Sequence, residues 1–285
     1  MTPAQLDIAT PALAARQPAP AAATARPAPP LVPERLSQGM LLTGPALLLV
    51  LWEAASRLGW LSPETLTAPS QALAAGYGMV ADGTLLPHLL ASAGRAYSGL
   101  FLGVAAGVLL ALASGLTRTG EALLDGLVQI KRAIPTLALI PLAIIWLGIG
   151  EAMKIFLIFT AVLVPVYLNT HAALRGIDIG HVELAQTLGL SRAEFIRKVA
   201  LPGALPGFFV GLRIAVSLCW TALVVLELIN TQTGIGYLMN RARDWGQTDV
   251  IVVGILIYAL LGLLSDAVVR RIESRVLSYR RSLGS

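Results

Sequence analysis

The residues able to do chemistry in this 285-residue chain are few and far apart. The three histidines, His88, His171 and His181, fall in different segments, and Cys219 is the single cysteine. No nucleophile stands beside a base, and no ligand set has a metal-binding spacing, so catalytic and metal-site readings find no residues to rest on. The lysines are Lys131, Lys154 and Lys198, none within a G-x-x-x-x-G-K-[ST] pattern, so a Walker-type phosphate loop is absent. What remains is Arg95, Arg213 and Glu227, set inside apolar runs, and a hydrophilic stretch, residues 181–202, between two such runs. Ionisable groups inside apolar runs usually face a bundle interior or a water-filled cavity. The chemistry expected is therefore binding and the transmission of motion.

The elements that must position these residues are membrane spans. Only 13% of residues are charged against roughly 25% in an ordinary globular protein, which is too few to cover a water-facing surface. At 56% apolar and a mean hydropathy of +0.74 the chain is also far too hydrophobic to be disordered as a whole. Its length suits about six spans of ~20 residues. They are expected at 40–58, 89–116, 133–150, 153–174, 203–229 and 250–269. Residues 1–36, rich in Pro and Ala, have no apolar centre of a secretory signal and read as a disordered cytoplasmic tail. Residues 37–60 read as the first transmembrane helix, 61–87 as a periplasmic connection, 88–272 as a core, and 273–285 as a basic cytoplasmic tail.

The formal charge of +5 invites a nucleic-acid reading, but its placement argues for topology. With the N-terminus inside, fifteen of the 21 basic residues fall on the cytoplasmic side, four fall outside, and Arg95 and Arg213 lie within spans. The positive-inside rule then places both termini in the cytoplasm.

Two spans carry a small residue every four positions: Gly99, Gly103, Gly107, Ala111 and Gly115 in one, Gly203, Gly207, Gly211 and Ala215 in the other. Such stripes let helix backbones approach closely, either within one bundle or at a dimer seam. Pro135 and Pro141 in the third span, and Pro165 in the fourth, each free a carbonyl. They fit a helix that bends or lines a cavity, and equally simple packing kinks.

Residues 181–202 read HVELAQTLGLSRAEFIRKVALP. A short helix at 183–188 is ended by Gly189, which adopts positive φ readily. Ser191 and Glu194 form S-x-x-E, a capping box that starts a second helix, and Pro202 suits the first turn of the next span. The result is a helix–turn–helix bracket fused to the fifth span, shaped to dock a soluble partner; a hairpin lying in the lipid interface is the alternative.

This bracket resembles the EAA loop of binding-protein-dependent ABC importer permeases, E-A-A-x3-G-x9-I-x-L-P. Glu183, Ala185, Gly189, Leu201 and Pro202 fall at matching positions, while Leu184 replaces the first Ala and Val199 the Ile. The runs IPTLALIPLAIIWLGIGEAMKIFL, TGIGYLMNRA and QTDVIVVGILIYALLGLLSD extend the resemblance over about residues 63–275, most of all to the aliphatic sulfonate branch, with taurine and nitrate permeases as near relatives. The resemblance implies an all-α bundle of the type I importer permease fold (MetI-like) in a bacterial inner membrane. It implies a homodimer with a second permease copy, two cytoplasmic ATPase subunits that bind ATP and Mg, and a periplasmic solute-binding protein. The chain itself would be no enzyme and hold no cofactor. Glu183, Ala185, Gly189, Val199, Leu201 and Pro202 would couple it to the ATPase.

Candidates for the translocation path are Arg213, Trp220 and Glu227. Arg213 either attracts an anion such as a sulfonate or pairs with a carboxylate as structural glue. Glu227 lies about 21 Å along the same helix, too far for that pair, and is expected to cap or to meet Arg241 or Arg243. Arg95 and Trp220 either line the path or are a snorkelling arginine and a packed indole. Two other classes share features with this chain. A potassium filter fails because Thr233-Gly234-Ile235-Gly236-Tyr237 has the wrong order and no re-entrant helix before it; the segment reads as a turn outside the fifth span. A secondary transporter working without an ATPase partner would be expected to show an internal repeat, and the halves show none.

Overall fold

The computed structural model describes residues 38–62, 64–229 and 231–278, and the expected tail at 1–36 lies outside them, as do residues 279–285. The chain divides into two compact units, Met1–Leu47 and Leu48–Ser285. The described part of the first is the opening half of α1 (Gln38–Arg57). The remaining helices are α2 (Pro69–Ala81), α3 (Leu85–Leu116), α4 (Arg118–Ala133), α5 (Ile140–Leu147), α6 (Glu151–Arg175), α7 (Ile179–Thr187), α8 (Arg192–Phe195), α9 (Leu201–Leu228), α10 (Ile235–Asp244) and α11 (Thr248–Val276). Among the described residues there is no strand.

Four helices, α3, α6, the α8–α9 run and α11, are long and apolar enough to cross a membrane, and a bent pair supplies a fifth candidate. The expected sixth, α1, has 20 residues, about 30 Å at ~1.5 Å per residue. The 61–87 connection contains α2, packed through Ala72 against Val252 and Val253 of α11.

The third expected span needs correction. Residues 133–150 do not form one helix: α4 ends at Ala133, and the chain turns by 93° into a 3₁₀ turn, Thr136–Leu139, followed by α5. The cause is Pro135. A residue before proline is disfavoured in the helical region, and Ile134 is accordingly extended (φ −89°, ψ 118°). Pro141 sits in the first turn of α5, where its missing amide leaves no bond broken.

Helix α6 is the axis of the bundle. Met153, Leu157, Ile158, Val162, Val166 and Tyr167 are fully buried between α3 and α9. The small-residue stripes make this possible within one chain. A Cβ on Gly99 would come within 2.5 Å of Ile158, and one on Gly103 within 2.6 Å of Val162. On α9 a Cβ at Gly211 would lie 2.7 Å from the Pro165 carbonyl. Both stripes therefore pack on α6.

Candidate functional site

One end of the bundle holds a buried polar cluster that draws on five helices. Arg95, ten residues into α3, has a side chain only 4% exposed, and Glu227, at the end of α9, is 0% exposed. Arg95 uses all of its N–H donors. Nε and Nη2 form a two-pronged pair with Glu151 at 2.5 and 2.8 Å. Nη1 donates to Glu227 Oε1 at 2.5 Å and to the Thr233 carbonyl at 2.7 Å, and Nη2 donates also to Thr233 Oγ1 at 2.9 Å. Buried Lys154 stands 3.6 Å from Glu151, so two acids and two bases balance. A buried charge is tolerated only when paired and hydrogen-bonded in this way.

Glu227 in turn accepts from Ser92 Oγ, from Tyr258 OH at 2.7 Å and from the Gly236 amide at 2.9 Å. Ser92 Oγ takes the Ile235 amide at 2.9 Å, and His88 Nδ1 takes the Gly234 amide at 3.0 Å. Three successive amides at the start of α10, which have no partner within their own helix, are thus held by α3 and α9. The carboxylate also lies where the positive end of α10 favours it. Gly234 (φ +121°) and Gly236 are required here: a Cβ on the first would lie 2.5 Å from Arg95 Nη1, and on the second 2.5 Å from Glu227 Cβ. The Thr233–Tyr237 segment is thus a linker and helix start locked to the bundle by buried charge.

This overturns the expected partner of Glu227: it meets Arg95, while Arg241 and Arg243 are exposed on α10. Arg95 does not snorkel, because its guanidinium is enclosed by Glu151, Glu227 and the Thr233 carbonyl. Trp220 is packed, 5% exposed, donating from Nε1 to Ser265 Oγ at 3.1 Å and meeting Tyr97 and Tyr258 edge-on. Of the three path candidates only Arg213 lies on an exposed face, its Nε 3.1 Å from Asp266 Oδ1. The sequence signal for the cluster, an Arg and a Glu in separate apolar runs, was visible; their pairing was not. Ser92, Glu151, Lys154 and Tyr258 were missed altogether.

The bracket occupies the other end. Asp178 caps α7 through the Gly180 amide at 2.7 Å, and Ala185 of α7 is buried. Gly189 (φ +66°) closes α7: its amide bonds the Gln186 carbonyl, and the Leu190 amide bonds the Ala185 carbonyl, both at 3.0 Å. This is the paired bonding of a Schellman stop. Ser191 and Glu194 form the reciprocal capping box, with Lys198 3.0 Å from Glu194. Residues Ile196–Ala200, including Val199, run on as a π-helical turn into α9, with Leu201 and Pro202 in its first turn. Arg192 Nη2 donates to the Leu116 carbonyl at 2.9 Å, capping the end of α3, and Phe195 packs with Leu174, Ala200 and Ala204. Glu183 is exposed on α7, beside Leu184 and Leu188, which are 57% and 67% exposed. A cavity of about 600 Å³ lies between bracket and bundle, lined by Asp178, His181, Lys198, Val199 and Pro202 among others.

A helical membrane bundle with a charge-locked end and a polar helical bracket at the other defines a polytopic transport component, without a cluster of metal-ligating side chains among the described residues. The chain belongs to the binding-protein-dependent transport system inner membrane component family, which matches residues 99–278. It is 46% identical to the putative aliphatic sulfonates transport permease protein SsuC of Escherichia coli (strain K12) over 80% of this chain and 87% of that one. It is 37% identical to the taurine transport system permease protein TauC of the same organism over 81% of this chain and 86% of the relative. A crystal structure of an amino acid ABC transporter superposes with a TM-score of 0.55 at 17% identity, covering 70% of this chain and 97% of that one, which places the fold. The expected all-α importer permease fold is the fold found.

Proposed function

We propose that this chain is the permease subunit of an ATP-driven importer for aliphatic sulfonates, and that two copies form the translocation path. The observation that carries this reading is the bracket. Exposed Ile179, Leu184 and Leu188 offer apolar docking surface on it, and its second arm, α8, runs through the π-helical turn into α9. Two cytoplasmic ATPase subunits, holding ATP and Mg, engage α7 and α8; the chain has no phosphate loop and does not hydrolyse ATP itself. Glu183, Ala185, Gly189, Val199, Leu201 and Pro202 shape and transmit that contact. Closure of the ATPase pair displaces the bracket, and its bonds to α3 and α9 carry the displacement into the membrane. A periplasmic solute-binding protein delivers the solute at the charge-locked end, in a bacterial inner membrane with both chain termini in the cytoplasm, as the arginine distribution supports.

The sulfonate assignment rests on the 46% identical relative, against 37% for the taurine-named relative and 32% for a nitrate import permease of Leptolyngbya laminosa. The test is ATPase stimulation in the reconstituted complex by binding protein loaded with alkanesulfonate, taurine or nitrate. Strongest stimulation by alkanesulfonate is expected. Stimulation by nitrate alone would sink the assignment, and transport by the permease with no ATPase subunit would sink the class.

A further inference from the structure

His88 lies in the first turn of α3, ahead of the apolar run expected at 89–116. Its Nδ1 accepts the Gly234 amide at 3.0 Å, and its ring stacks on Tyr237 of α10 with centroids 5.6 Å apart. One side chain thus holds the start of α10 at two points. An imidazole nitrogen that accepts a hydrogen bond carries no proton, so this contact exists only in the neutral ring, with its hydrogen on Nε2. The next two amides have acceptors of other kinds: Ser92 Oγ takes Ile235, and the Glu227 carboxylate takes Gly236. Of these acceptors only an imidazole ordinarily changes charge between pH 5 and 8. A proton on Nδ1 sets one N–H against another. Gly234 has little room to adjust, because its backbone lies at φ +121° and Arg95 Nη1 holds the preceding Thr233 carbonyl at 2.7 Å.

The charged groups that face His88 are Glu227 from α9, Arg95 from α3 and Arg241 from α10. Glu227 already accepts from Arg95, Ser92, Tyr258 and the Gly236 amide, which match the four acceptor sites of a carboxylate. It therefore has no site left for an imidazolium. From the other elements the neighbours are uncharged: Met79 of α2, Thr84 before α3, Gln247 before α11 and Val250 within it. With His88, Arg241 and the exposed Trp245 they border a cavity of about 390 Å³, which gives water access to the ring. We infer that His88 is an acid-sensitive latch: a proton taken up from the outer side releases the start of α10 and slows solute delivery. The latch rests on reading this end as the outer one, where the binding protein delivers, and the experiment separates the two.

Hydrogen exchange of the 233–238 segment is followed in the complete complex at pH 7.5 and 5.0, with rates corrected for the intrinsic pH dependence of amide exchange. With an ordinary imidazole pKa of ~6.5 in the released state, the latched form loses up to about 30-fold in relative population at pH 5.0. Protection of the segment is expected to fall at least tenfold while that of α6 stays within twofold; unchanged protection overturns the latch. His88→Asn offers Oδ1 in place of Nδ1, an acceptor that does not titrate, and is expected to keep its protection at both pH values. A fall as large as in the unaltered complex would place the proton elsewhere and overturn the latch. The measurement on the unaltered complex decides the matter if His88→Asn does not assemble. Uptake of labelled 1-butanesulfonate, which stays ionised across this range, is then measured in liposomes with the interior held at pH 7.5. Lowering the outer pH to 5.0 is expected to cut uptake at least fivefold in the unaltered complex and less than twofold in His88→Asn. Equal losses overturn the control of delivery. No uptake at pH 7.5 would defeat the importer reading instead, and the exchange result would still decide the latch.

Discussion

Arg95 Nη1 stands 2.5 Å from Glu227 Oε1 although 132 residues separate them in the chain. The pair closes a ring of contacts that joins α3, α6, α9, α10 and α11, so its loss strands charge in a place water does not reach. Removing one partner of a buried ion pair costs about 3–5 kcal/mol. Arg95→Met and Glu227→Met are each expected to destabilise the purified protein by that amount. The double variant is expected to lose at least about 1 kcal/mol less than the sum of the singles. Denaturant unfolding in detergent checks both figures, and strict additivity would contradict the coupling.

The two positive-φ glycines that flank α10 should respond differently. Gly246 (φ +69°) has open space around it, so Gly246→Ala carries only the backbone penalty of roughly 1–2 kcal/mol. Gly234→Ala adds a collision with Arg95 and Glu227, and is expected to lower the melting temperature clearly further. Equal melting temperatures would show that the start of α10 is not locked as described.

Gly189→Val tests the turn of the bracket. A β-branched residue is strained at φ +66°, and the Schellman stop of α7 would be disturbed. The variant is expected to insert and fold, yet to lose most of the ATPase stimulation by loaded binding protein. Unchanged stimulation together with unchanged assembly would refute a coupling role for this turn.

Leu188→Asp tests the docking surface. The side chain is 67% exposed, so the permease alone should keep its unfolding free energy within the ±0.5 kcal/mol range of surface changes. Co-purification of the ATPase subunits is expected to fall about tenfold, equivalent to ~1.4 kcal/mol. Full recovery of the ATPase would move the contact elsewhere.

The amino-acid sequence determined the local devices. The Gly189 stop, the Ser191–Glu194 capping box and the small-residue stripes are each set by residues a few positions apart, and periodicity and composition are sufficient to read them. The long apolar runs likewise placed α3, α6 and α9 within four residues of their bounds, whereas α11 runs seven residues past its expected end, to Val276. The third span failed because hydropathy averages over a window and does not see that Pro135 forces Ile134 out of the helix. Tertiary structure alone decided which charges meet. Glu227 had Arg241 and Arg243 nearer in sequence, but α10 begins by directing the Gly236 amide onto the carboxylate, and its arginines lie beyond, exposed. Arg95 reaches Glu227 only because glycines on α3 and α9 let both helices close onto α6. Side-chain pairing in a membrane bundle depends on helix rotation and separation, and those are settled by packing across the fold.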